Sequence, residues 1–339
     1  EDALEAQLAY LDDQTGLFWT DNELPSDGSD QAGYSGGGLG PNLEAVTGYR
    51  GGEGTFYNDS NAGILGSFLA LADIEGLAGN TARSKRYREQ AQEIATAIQQ
   101  HMWNEELQFF CDLNKDGTVN DYLGIGGFIT GLFASQVYRP GGLATQQQAA
   151  TLARWCADPE FASDYGVISL ARSNPYFNPD DWKGYNSSFD MHWCNQVPAG
   201  LYAHGCYAEA HTQLFKLFRR LGENGGLGPR YRGEVYQADT GEIVPDRFPN
   251  YPGILSALTA VIEGVFGLRW TEGALTVEVH APWPWAHLRH LKIRGSTLDL
   301  VLSADGSVSA IVDGHEVAKS SDGKLALPWE LFDQRLKDS

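Results

Sequence analysis

The sequence predicts a mainly α fold: an (α/α)6 toroid, short of helices at its N-terminus, followed by a small C-terminal β module. Two observations lead there. Segments with apolar residues at a helical period succeed one another up to about residue 267, and long loops separate them. Beyond that point the period falls to two and Asp-Gly turns punctuate the chain, as they do between short strands. The expected domains are therefore residues 1–267, an α/α toroid carrying catalysis, and residues 268–339, a strand-rich module.

Residues 1–11 open the chain as a short helix. Residues 59–76 place Ala62, Leu65, Phe68, Leu69 and Ala72 on one face, and Gly76 and Gly79 close the helix. Residues 81–102 repeat the pattern with Tyr87, Ala91, Ile94, Ala95, Ile98 and Met102, so a helical hairpin follows from the short link. Further helices are expected over 122–135, 144–157, 189–204, 206–221 and 251–267. The loops 14–57, 158–188 and 222–252 are longer than mere connectors, which marks them as functional. Alternating strands are expected at 275–279, 291–294, 298–302 and 308–312, with turns at Asp305-Gly306, Asp313-Gly314 and Asp322-Gly323.

A formal charge of −20 leaves no basic stripe for phosphates, which argues against nucleic acid as a partner. The one basic run, Arg83 to Arg88, lies inside an amphipathic helix and reads as its solvated face. No apolar run is long enough to span a bilayer. Cys111, Cys156, Cys194 and Cys206 lack metal-site spacing, so buried free thiols are the default and a disulfide stays open. The start of the chain does not fix a compartment; the expectation leans to a soluble, cytoplasmic protein.

Two acidic loops carry the chemistry. Glu234 sits in Arg-Gly-Glu-Val-Tyr, ahead of an Asp239-Thr240-Gly241 turn, on irregular backbone between helical stretches. Asp30 closes an earlier Gly/Ser-rich loop that also holds Asp27. Two such carboxyls among many aromatic rings suggest work on a sugar.

Four stretches carry a resemblance to glycoside hydrolases of the trehalase and processing-glucosidase type, which include family 63 and the mannosylglycerate-hydrolase-like enzymes. Asp27-Gly-Ser-Asp30 looks like the Ser-Gly-x-Asp loop of that group, and Asp59-Ser-Asn-Ala62 like its Asp-Leu-Asn-Ala helix start. Met102-Trp-Asn-Glu105 through Phe109-Phe-Cys-Asp112 looks like its Leu-Trp-Asn-Glu…Phe-Tyr-Asp helix end. Glu234-Val-Tyr236 with Asp239-Thr-Gly241 resembles its Glu-Tyr-Tyr…Thr-Gly segment. The resemblance implies an inverting hydrolase acting on an oligosaccharide or small glycoside without an organic cofactor, Asp30 as general acid and Glu234 as general base. Trp182-Lys183-Gly184 and Trp193-Cys-Asn195 look like pieces of that group's substrate wall, with Lys183 where the group has Arg. Tyr236 and Arg232 join Trp182, Lys183 and Trp193 as expected substrate-binding residues.

Several alternatives stay open. Asp27 is the next candidate for the acid, Glu53 beside Tyr57 could displace either carboxyl, and Asp27, Asp30 and Asp59 could be turn and cap residues. Asp112, Asn114 and Asp116 match the first half of a calcium loop, with Leu123 where its final acid belongs; a hairpin turn explains the same residues. A sugar epimerase or polysaccharide lyase on the same toroid would use His192, His204 or His211. The third reading is a non-catalytic carbohydrate-binding part of a larger glycosidase. The resemblance places several helices before the acid, so a companion N-terminal segment or self-association is expected to cover the flank left open.

Overall fold

A computed structural model describes residues 8–19, 56–114, 116–132, 142–174, 177, 188–190, 194–223, 235–242 and 254–333. The chain divides into two units, Glu1–Ile254 and Leu255–Ser339.

The first unit is helical, and the apolar period sets its leading pair. Helix α1 (Asn58–Leu77) buries Ala62, Leu65, Phe68 and Ala72, the face expected of it. Its end is a Schellman motif: Gly79 N–H donates to the Gly76 carbonyl and Asn80 N–H to that of Glu75. Gly79 adopts φ +82°, where a Cβ would be strained, so the chain can reverse within three residues. Helix α2 (Thr81–His101) returns along α1, burying Tyr87, Ala91, Ile94 and Ile98. The Ser84 hydroxyl donates to the Ala72 carbonyl at 2.6 Å, and Arg88 pairs with Asp73. Arg83 bonds Glu75 in the same way, so the basic run serves the helix pair.

Two small hairpins follow, β1 (Trp103–Asn104) with β2 (Phe109–Phe110) and β3 (Asp112–Leu113) with β4 (Val119–Asn120). Helix α3 (Ile125–Leu132) is buried on every side. Its Gly127 and Gly131 let Phe109 and Phe110 pack directly onto its backbone. Helix α4 (Gln146–Trp155) opens with a capping box between Thr145 and Gln148. Phe109, Phe128 and Phe161 meet beside it with ring centroids 5.0–5.5 Å apart, edge-on or stacked. A further short hairpin joins β5 (Ala162–Ser163) to β6 (Gly166–Val167).

The helix expected over 189–204 is corrected. Ser188–Asp190 is a strand, β7, and a 3₁₀ turn at Cys194–Gln196 leads into α5 (Val197–Ala203). The cause is long-range: β7 pairs antiparallel with β8 (Val235–Gln237), Phe189 opposite Tyr236. Helix α6 (Tyr207–Glu223) matches the segment expected from residue 206. The helix expected over 1–11 is a 3₁₀ turn, Leu8–Tyr10, where the chain is described.

Helix α7 (Ile254–Thr259), which starts at the last residue of the first unit, widens into a π-helical turn, Ala260–Val265, in the second. Strand β9 (Arg269–Trp270) pairs with β10 (Ala274–Glu278), which also pairs with β15 (Lys324–Pro328). The second sheet is an antiparallel meander of β11 (Ala286–Ile293), β12 (Ser296–Leu302), β13 (Val308–Val312) and β14 (His315–Ser320). Leu298, Leu300, Val308, Ala310 and Val312 bury one face of it. Asp313-Gly314, with φ of 51° and 87°, is the two-residue turn that suits a hairpin's twist. Arg294-Gly295, with φ of 48° and 89°, makes the same turn between β11 and β12. Among the described residues no helix is long and apolar enough to cross a membrane.

Candidate active site

Five segments of the first unit are tied together around the start of α1. The backbone of Phe56 exchanges two 3.0 Å hydrogen bonds with Leu113, which brings the entry of α1 against β3. Asn58 N–H, an orphan donor of the first helical turn, reaches the Asp112 carboxylate at 2.8 Å. The Asn58 side chain donates to the Phe110 carbonyl and accepts from Thr130 of α3. All three polar groups are buried, so the network locks α1, β3 and α3 in one arrangement. Asn61 does the same for the opening hairpin, accepting from Phe18 N–H at 2.7 Å and donating to its carbonyl at 2.9 Å.

The loop after β6 joins through backbone bonds. Ile125 N–H donates to the Ser169 carbonyl, and the Leu123 carbonyl accepts from Ala171 N–H and the Asn174 amide. Arg172 of this loop pairs with Asp239 at 2.6 Å and lies over the Phe177 ring. Asp239 belongs to the turn after β8. There Gln237 Oε1 accepts from Asp239 and Thr240 N–H, and Gly241, at φ +68°, leaves room for the Tyr165 ring. The Asp-Thr-Gly turn expected from the sequence is thus anchored from two sides. Arg220 of α6 is fully buried and donates to Asn195 at 2.8 Å, fixing the 3₁₀ turn before α5.

Asp59 is the carboxyl whose chemistry this frame alters most. It sits in the first turn of α1, where the helix end favours a negative charge. Crowding by protein atoms outweighs that and the Ser60 N–H bond, and burial pushes its pKa up to about 6. A minor part of its surface remains exposed, so a partner can still reach it.

The sequence-derived residues divide as follows. Asp30, Glu234, Trp182, Lys183, Trp193 and Arg232 lie outside the described residues, as do Asp27 and Glu53. Tyr236 lies in β8, opposite Phe189. Asp112, Asn114 and Asp116 are described, and they take part in a hairpin and a helix cap. Asp112 binds the start of α1, the Asn114 amide donates to Thr118 Oγ1 at 3.0 Å, and Asp116 accepts from Thr118 N–H and Oγ1. No group of three or more His, Cys, Asp or Glu side chains suited to a metal ion occurs among the described residues. None of the four cysteines forms a disulfide among the described residues, and burial pushes the Cys111 thiol up to about 12. Sequence reasoning passed over Arg220. Its signal was available, because it falls on the helical face of Ala210, Gln213, Leu214 and Leu217, all buried.

Comparison with known proteins adds further findings. The model of the mannosylglycerate hydrolase MGH1-like glycoside hydrolase domain matches residues 39–251, more than half of the chain. A mannosyl-oligosaccharide glucosidase of Saccharomyces cerevisiae is 27% identical over 111 residues, which cover 31% of this chain and 13% of that enzyme. A solved structure described as a sialidase superposes with a TM-score of 0.74 at 17% identity, covering 96% of this chain and 30% of that one. A mannosylglycerate hydrolase from Thermus thermophilus, solved in complex with glucose, gives 0.47 at 17% identity over 61% of this chain and 47% of its own. The chain thus spans less than a third of the length of the curated relative and of the sialidase structure it matches.

Proposed function

From the premise that the chain belongs to the mannosylglycerate hydrolase MGH1-like glycoside hydrolase domain family, we propose that it cleaves an α-glucoside or α-mannoside with inversion at the anomeric carbon. The family match carries this reading, because it spans Glu234, Asp59 and the stretch from Trp182 to Trp193. We assign catalysis to residues 1–267, as helix pairs arranged in an (α/α)6 toroid, and an accessory role to residues 268–339.

In the proposed reaction Glu234 takes a proton from a water as that water attacks the anomeric carbon. Asp30 gives its proton to the glycosidic oxygen, which leaves with the bond's electron pair. The two carboxyls then stand about 6.5–9.5 Å apart, leaving room for the water between them. Trp182, Trp193 and Tyr236 offer apolar faces to the sugar rings, and Lys183 and Arg232 offer donors to hydroxyl or carboxylate oxygens. The anchored β7–β8 pair supports this role for Glu234, which directly precedes Val235 in the chain.

One observation favours a second assignment of the acid. A general acid near neutral pH needs a raised pKa, and Asp59 has one. Asp30 precedes the stretch that matches the family, whereas Asp59 lies inside it.

A panel of α-glucosides, α-mannosides and glycosylglycerates tests the reading. Release of a reducing sugar from at least one of them is expected. Exclusively unsaturated or epimerised products would establish the lyase or epimerase alternative, and binding without turnover would leave a carbohydrate-binding part of a larger enzyme.

A further inference from the structure

We infer that Trp285, just before the edge strand β11, forms with His287 and Arg289 of that strand a binding site for a carboxylate-bearing sugar of the uronic acid class. His287 and Arg289 alternate along the strand and so share one face of the sheet, and the Trp285 ring meets that of His287. Among the described residues β11 has a neighbour on one side only, β12.

Trp285 is 64% exposed, an unusual position for so large an apolar ring. Pro282 and Pro284 lie just before it, and each fixes a backbone torsion that limits how the indole can move. Its ring meets the His287 imidazole edge-on, with centroids 6.3 Å apart. Arg289 in turn donates to His287 Nδ1 at 2.9 Å. Arginine has no acceptor, so His287 takes this bond with its lone pair and keeps its proton on Nε2. The result is a preformed ladder: an apolar ring face, then an outward N–H donor, then a guanidinium.

Charge selects the ligand. The chain carries −20 overall, yet residues 286–294 hold Arg289, Lys292, Arg294 and two histidines without one acid, and the acid that β12 brings opposite them, Asp299, accepts from the His290 N–H. Arg294 is spent on Asp333 and Lys292 on Thr297, whereas Arg289 forms no ion pair among the described residues. A bulge between Leu288 and Leu291 sets the strand just beyond the ladder, with His290 at φ +61° and its N–H held by Asp299 at 2.6 Å. Bulges of this kind redirect the side chains around them. A pyranose ring stacked on Trp285 places its carboxylate within reach of a guanidinium, whose paired N–H groups match the two carboxylate oxygens.

Calorimetric titration of the full chain with trigalacturonic acid and with neutral, β-linked cellotriose tests this site, beside Trp285→Ala and Arg289→Met. Trigalacturonic acid should bind wild type at least about tenfold more tightly than cellotriose, and each variant should lose about tenfold. Higher salt should weaken the wild-type interaction and leave that of Arg289→Met nearly unchanged. Equal affinity for the two sugars, unaltered binding by either variant, or no saturable binding of trigalacturonic acid at millimolar concentration overturns the proposal. None of these readouts depends on hydrolysis, so the site stands or falls separately from the proposed reaction.

Discussion

Glu234→Gln should lower kcat/KM by roughly 10³-fold, about 4 kcal/mol of transition-state stabilisation, and leave the thermal unfolding curve where it was. The amide keeps the shape of the side chain and loses the capacity to take a proton from water. An inverting reaction has no covalent intermediate to bypass that step. The acid is identified by the matched pair Asp30→Asn and Asp59→Asn, tested on a substrate with a poor leaving group, where protonation matters most. With Asp30 as acid, the first variant loses activity on the scale of Glu234→Gln and the second less than about tenfold. The opposite order assigns the acid to Asp59, and full activity in Glu234→Gln removes the proposed base.

Asp59→Asn has a second, independent readout. Its folded pKa, about 6, lies above the 3.8 of an ordinary aspartate, so protonated Asp59 favours the fold. That contribution is complete below the unfolded value and is lost as pH rises through the folded one. Wild type and variant should therefore be nearly equal in stability at pH 4. By pH 8 the variant should lead by about 1–2 kcal/mol, a value reduced from the full linkage because the carboxyl is partly solvated. A gap that shrinks as pH rises would mean that Asp59 is held as the anion.

Gly127→Ala is the second large effect, and it runs against intrinsic propensity. Alanine in a helix interior is worth about 1 kcal/mol over glycine. Here the new methyl would stand 2.1 Å from a Phe109 ring carbon and 2.6 Å from the Phe110 carbonyl oxygen. The ring belongs to the Phe109–Phe128–Phe161 cluster and has nowhere to go, and a backbone carbonyl cannot rotate aside. Overpacking of this kind costs about 3 kcal/mol, so the net loss is about 2 kcal/mol or more. Gly63 of α1 is the control, because a Cβ there meets nothing within 4 Å. Gly63→Ala should raise the melting temperature and Gly127→Ala lower it by several degrees; two shifts of the same sign would refute the packing argument.

These residues also show what the sequence could express. The α1–α2 hairpin was legible because its period, its terminal glycines and its short link all agree, and β13 matches its expected span of 308–312. Strand β7 was not legible. Its partner β8 lies some forty-five residues on, and an apolar stretch running on to His204 reads as helix until that pairing is known. Strand β14 was missed because it is an edge with little apolar alternation, its first three residues all exposed. Asp112 fits a half calcium motif and a hairpin equally well in sequence, and its bond to Asn58 is a tertiary contact for which a single sequence has no signal. The altered acidity of Asp59 comes from tertiary crowding, for which a single sequence has no signal. The expected acid, base and sugar-binding residues other than Tyr236 lie outside the described residues, so their assignment rests on resemblance and family membership.

The most direct test of the account is the configuration of the sugar at the instant of release. Hydrolysis of the best α-linked substrate, followed by proton NMR before mutarotation, should show the β-anomer appearing first and the α-anomer growing only as the two equilibrate. An α-anomer formed first would mean a carboxylate nucleophile and a double displacement, and the mechanism in which Glu234 activates a water would be wrong.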